Sequence, residues 1–215
     1  MSKLLRRTAA PLAAAILAAC GPAVSADPPQ SAPPAVPVQA TTPATGTAAR
    51  AYSEADVRFL QMMIPHHAQA LEMTALVPSR STRQDVRATA QRIELSQQDE
   101  IAMMQRWLRA RRVPAAQAEH QHGAGHAHMP GMLTPQQMDR LRAASGAEFD
   151  RLFLEYMIQH HEGALAMVAE LFATPGAGQE PELFSMASEV DSDQRMEIAR
   201  MRAMLNGQLS GAPRN

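Results

Sequence analysis

The side chains with most chemistry to offer lie in two short stretches. "MMIPHHAQALEM" sets His66 and His67 among Met62, Met63 and Met73, and "MIQHHEGALAM" sets His160 and His161 between Met157 and Met167. On a helix turning about 100° per residue, Met62, Met63 and Met73 lie about 40°, 60° and 20° from His66, so imidazole and thioether groups leave in one sector. Thioether and imidazole together select Cu(I), and by the same softness Ag(I), over harder ions. Met62, Met63, His66, His67, Met73, Met157, His160, His161 and Met167 are therefore candidate ligands. The competing reading is packing, because methionine fills irregular cores and a lone buried histidine is ordinarily structural. Two matching pairs weigh against it, since burying four imidazoles without polar partners is costly.

A third group, "EHQHGAGHAHMPGM" at residues 119–132, carries His120, His122, His126 and His128 with Met129 and Met132. Short His-rich tracts bind Cu(II), Zn(II) or Ni(II) loosely, so this connection reads as a low-affinity capture arm or as a solvated linker. Glu119 and His122 form the only Glu-x-x-His in it, and the helices contain none, which argues against di-iron chemistry. No nucleophile with an adjacent base, phosphate-binding glycine loop or catalytic carboxylate pair occurs, and the chain reads as a binding protein, not an enzyme. Glu100 and Glu197 could orient histidines or form interhelix ion pairs. Trp107 reads as core, with a neighbouring arginine available for a cation–π contact.

These residues need rigid supports, and the sequence supplies them twice. Met63 to Met73 matches Met157 to Met167 at an offset of 94, with seven of eleven positions identical, and Gln97 to Ala102 matches Gln194 to Ala199 at an offset of 97. Two copies of a helix pair follow, spanning about 53–112 and 147–209. Ser53 with Asp56 forms a capping-box pattern for a helix reaching Val77; Ser81 with Gln84 would open a second, ending near Arg112. Thr134 and Pro135 open a short helix, and long helices follow at 147–173 and 182–209. Apolar residues recur at helical spacing along all four long segments without strand-like alternation. The expected fold is all-α, a four-helix bundle with a long central connection. Pro65 falls inside the first helix, where it costs about 3 kcal/mol or a kink.

The two His-His repeats, the two Gln-x-x-Glu-Ile-like stretches and "MPGMLTPQQMDRLRAASGAEFDRLFLEYMIQHHEGALAM" resemble the domain of unknown function 305 family over most of residues 52–207. The resemblance implies a ferritin-like bundle and an envelope protein that handles metal, since copper-binding CopM-type periplasmic proteins belong to that family.

Residues 1–19 carry Lys3, Arg6, Arg7 and an apolar run ending in Leu17-Ala18-Ala19-Cys20, the pattern of a signal peptide with a lipobox. The run is shorter than the roughly 20 residues that span a bilayer. Cys20 is the only cysteine, which excludes an internal disulfide and marks the expected lipidation site. Gly21 in place of aspartate resembles the sorting signal for the outer membrane. Residues 20–50 hold seven prolines among small polar residues and read as a tether, followed by the bundle at 51–209 and a tail at 210–215. Cleavage leaves 17 basic and 21 acidic residues, net −4, which implies no nucleic-acid surface. The expected protein is lipid-tethered and faces the periplasm. It binds and buffers copper, with silver as a surrogate, for tolerance or for transfer to a protein partner. The alternatives are a bundle whose histidines serve packing or partner binding, and a ferritin-like redox enzyme.

Overall fold

The computed structural model describes residues 52–115 and 129–207. Among these residues six helices occur in order: α1 Glu54–Thr74, α2 Val77–Arg80, α3 Gln84–Ala110, α4 Pro135–Ala143, α5 Gly146–Ala173 and α6 Pro181–Leu205. The signal segment, Cys20, the tether, the tail and His120, His122, His126 and His128 lie outside the described residues.

The chain starts and stops these helices with local chemistry. The Ser53 hydroxyl accepts from the Asp56 amide and the Asp56 carboxylate accepts from the Ser53 amide, completing the expected capping box. Thr134 and Gln137 do the same for α4 behind Pro135. At α3 the expectation fails. The N-cap is Arg83 with no side-chain cap bond, and Ser81 accepts instead from the Arg83 amide. Pro78 does not merely end α1, because the chain starts the short α2 around it. Pro65 sits inside α1, which continues through it to Thr74.

α1 packs on α3 and α5 packs on α6, and the two hairpins meet through α1 against α5 and α3 against α6. The core divides into two apolar clusters. One holds Phe59, Leu60, Met63, Ile64, Met104, Trp107 and Leu108 with Ala164, Met167, Leu183 and Val190; the other holds Ala70, Met73, Val86, Ile93, Phe149, Phe153, Leu154, Met157, Ile198 and Met201. Every long helix leaves one cluster and enters the other. α1 enters the second cluster as α5 leaves it, so these two helices run antiparallel. Met63, Met104 and Met167 in one cluster correspond to Met157, Met201 and Met73 in the other, so the repeats are related by an internal twofold. Burial of such side chains contributes roughly 1.5–3 kcal/mol each. At the Trp107 end, the indole Nε1 donates to Glu180 at 2.9 Å and the Arg111 guanidinium lies 3.9 Å over the ring, which supplies the expected cation–π contact.

Candidate metal-binding site

Between the two clusters each long helix contributes polar residues: His66 and His67 from α1, Gln97 and Glu100 from α3, His160 and His161 from α5, Gln194 and Glu197 from α6. All four histidines are fully buried, as are Gln97 and Gln194. A polar waist thus crosses the bundle between its two apolar clusters.

The hydrogen bonds of this waist fix the imidazoles. His67 Nε2 donates to Glu100 at 2.5 Å and His161 Nε2 to Glu197 at 2.6 Å. His66 Nε2 lies 3.0 Å from the Pro130 carbonyl, and His160 Nε2 lies 2.8 Å from the His66 carbonyl. Carbonyl and carboxylate oxygens only accept, so all four Nε2 atoms carry a proton, and in the neutral His66 and His160 rings the lone pair lies on Nδ1. None of those four Nδ1 atoms has a hydrogen-bond partner, nor does either polar atom of Gln97 or Gln194. Eight of the ten buried, unpartnered side-chain atoms among the described residues therefore fall in this layer. Each such atom, left without a partner, carries a desolvation penalty of about 1–3 kcal/mol, and their concentration in one layer marks it as the candidate site.

Electrostatics keep His66 and His160 unprotonated. Burial, then the neighbouring His67 and His161, lower the His66 pKa to about 3 against the opposing Pro130 carbonyl. Burial and then the other three imidazoles hold His160 well below its usual value. The His66 and His160 rings lie 3.9 Å apart between centroids, tilted by 37°. Half-buried Asp193 has its pKa raised by burial and then by Glu100, Glu197 and Glu189, a sign of negative potential beside the waist.

The structure brings all four predicted histidines into one layer with Glu100 and Glu197 as acceptors, and it buries Met63, Met73, Met157 and Met167 in the apolar clusters on either side. Met63 and Met157 lie one turn from their histidine pairs, while Met73 and Met167 lie about two turns away in the opposite clusters. Met63 and Met73 thus flank the imidazoles from two sides and do not form one local set. Met62 is more than one-third exposed on the outer face of α1, Met129 is buried, and Met132 is half-buried. Among the described residues no three His, Cys, Asp or Glu side chains gather closely enough to hold an ion by themselves. The donors present fit a soft ion that needs few ligands and accepts thioether sulfur. Gln97 and Gln194 had no assigned role in the sequence. The signal was their position three residues before Glu100 and Glu197 in both copies, which puts them on the same helix face.

The fold and this waist define a class, the helix-pair-repeat bundle with an internal twofold and a buried histidine layer. The chain belongs to the family described as "Domain of unknown function (DUF305)", whose model matches residues 56–205. Solved structures agree. A DUF305 fragment from Deinococcus radiodurans is 32% identical, with a TM-score of 0.64, covering 72% of this chain and 97% of that one. A DUF305 protein of Streptomyces coelicolor, taken to be secreted, is 28% identical with a TM-score of 0.61 over 72% of this chain and 93% of that one. CopM in its Cu(II)-bound form is 29% identical with a TM-score of 0.57, covering 71% of this chain and 97% of that one. In its Cu(I)-bound form the identity is 25% and the TM-score 0.55, over 72% of this chain and 97% of that one. No curated protein matches the sequence.

Proposed function

We infer that this protein is an extracytoplasmic copper-binding bundle that buffers Cu(I) at its histidine waist or passes it to a protein partner, without catalysing a reaction. One observation carries the reading: four buried imidazoles, each with Nε2 engaged and Nδ1 unpartnered. A carboxylate on the far nitrogen of a ligating histidine fixes the ring and raises its basicity, and His67–Glu100 and His161–Glu197 have that form. Met63 and Met157 are the nearest thioethers along the chain, with Met73 and Met167 behind them. The copper-bound forms of CopM support the same choice of ion. His120, His122, His126 and His128 would serve as a weaker Cu(II)-capturing arm, with Met129 and Met132 where it meets the bundle.

Location belongs to the same proposal. The lipobox pattern ending at Cys20, the proline-rich tether and the likeness to a protein taken to be secreted support a lipid-anchored periplasmic protein, with Gly21 favouring the outer membrane. Cys20→Ala should shift the protein from the membrane to the soluble envelope fraction; unchanged membrane association would remove the anchor.

The test of metal binding is stabilisation by a soft ion. Ag(I) or Cu(I) that binds only the folded state adds about 2.7 kcal/mol at a hundredfold excess over Kd. Replacing His66 and His67 together by Gln keeps polarity and approximate size, and should leave the metal-free fold near normal while most of that stabilisation disappears. His160 and His161 should behave in parallel. A full thermal shift with Ag(I) in both double variants would show that the imidazoles hold no ion and serve packing.

A further inference from the structure

We propose that Met129–Leu133 is a retaining strap that positions the His66 imidazole and lies across the route by which an ion enters the waist between α1 and α5. The proposal rests on the copper reading and adds a device to it. These five residues form a turn outside any helix, with the Met132 amide 3.3 Å from the Met129 carbonyl. Side chains from both histidine-bearing helices hold the turn in place. From α1, Gln69 accepts from the Leu133 amide at 2.7 Å and donates to the Leu133 carbonyl at 3.1 Å, while His66 Nε2 donates to the Pro130 carbonyl at 3.0 Å. From α5, Gln159 donates to the Gly131 carbonyl at 3.3 Å and accepts from Gln137 at 3.0 Å.

Two glycines let backbone meet backbone here. A Cβ on Gly163 would lie 2.0 Å from the Pro130 oxygen and 2.6 Å from Gly131 Cα, and Gly131 itself adopts φ +75° with the Gln159 carbonyl 2.5 Å from where its own Cβ would be. Only glycine at both positions allows the strap to reach the α1–α5 seam and put a carbonyl on His66. Buried Met129 and Leu133 close its two ends. That carbonyl determines which nitrogen of His66 keeps the lone pair. A few side-chain hydrogen bonds and two buried side chains hold the strap, far fewer contacts than hold the long helices, so it opens locally before the bundle unfolds.

The test uses Gly163→Ala, whose methyl group meets backbone in the strap while alanine favours the helix around it, and Gln69→Leu, which removes both Leu133 bonds without adding bulk beneath Pro130. In the metal-free protein, exchange of the Leu133 amide should accelerate at least about tenfold, and the His66 ring nitrogens should lose the single Nε2–H signature in their NMR shifts. In the silver-loaded protein, the release rate of Ag(I) should rise at least about tenfold in Gly163→Ala and less in Gln69→Leu. Faster Leu133 exchange with unchanged silver release would overturn the strap's place on the route. Unchanged His66 shifts in both variants would overturn its positioning role. Unmodified protein that takes up no silver would instead sink the copper reading, and the route with it.

Discussion

His67 and His161 occupy equivalent places, each donating from Nε2 to a glutamate three residues beyond a buried glutamine, whereas His66 and His160 do not. His66 meets the Pro130 carbonyl of a segment that exists once in the chain; its counterpart His160 meets the His66 carbonyl itself. The aligned stretches show the same division. Six of their seven identical positions are buried in both copies, and the seventh, Leu71 and Leu165, is half-buried. The four that differ are Pro65/Gln159, Ala68/Glu162, Gln69/Gly163 and Glu72/Ala166. Gln159, Gln69 and Gly163 hold the strap, while Glu72 and Glu162 pair with Arg142 and Arg202 at 3.4 and 2.5 Å. A duplicated helix pair keeps what the shared interior needs and diverges where one unduplicated segment must dock.

The largest expected effect tests what the unlike pair still shares, namely burial as neutral rings. A group whose folded pKa lies below its unfolded value takes up more protons when unfolded, so acid favours the unfolded chain. With His66 lowered from 6.5 to about 3, and His160 lowered too, stability should be fully present above about pH 6.5 and fall as pH drops toward 3. The loss should reach several kcal/mol in metal-free protein. His66→Gln and His160→Gln should each flatten this acid limb by about one proton in denaturant titrations across pH. An unaltered slope in either variant would show that the ring it removes is not buried neutral.

A smaller effect separates the waist from the clusters on either side of it. Gln97→Leu with Gln194→Leu replaces four unpartnered polar atoms by apolar groups of similar size. The double variant should gain about 1–3 kcal/mol of metal-free stability, readable as a raised Tm, because an orphaned buried amide costs more than a methyl-bearing isostere. A loss of stability would mean that the amides are satisfied in solution and that the waist is ordinary polar core.

Much of this was legible before any coordinates. The offset of 94 between the histidine pairs, the capping boxes at Ser53 and Thr134 and the helical spacing of apolar residues lead directly to the paired hairpins, because each is a local signal. Helix geometry also placed imidazoles and thioethers in one sector, and there the sequence misleads. Met63 and Met73 are about 15 Å apart along α1, and the antiparallel α5 puts Met167 in the same apolar cluster as the first and Met157 in the same cluster as the second. Ser81 looked like a cap because of Gln84, but the backbone enters α3 two residues later. The strap could not be read at all. "MPGM" has no periodicity, and its contacts join residues 64 positions apart, such as His66 with Pro130 and Gln69 with Leu133.

The equivalent pair offers the finest test of the comparison. Glu100→Gln and Glu197→Gln each leave an amide oxygen to accept the Nε2 proton of His67 or His161, so ring orientation survives while the charge goes. Removing such an outer partner ordinarily weakens metal affinity by about 10- to 100-fold. Here about tenfold, or 1.4 kcal/mol, is expected for each. The internal twofold predicts similar losses, and burial ranks them. Glu100 has a side chain only 6% exposed against 16% for Glu197, so its charge is less screened and its replacement should cost more. Asp193 provides a control that needs no metal. Its pKa is raised by burial and then by both glutamates, so each variant should bring it back toward the ordinary carboxylate range in an NMR titration. If Asp193 responds while silver affinity stays unchanged in both variants, the carboxylates orient the rings and contribute nothing through charge to holding the ion.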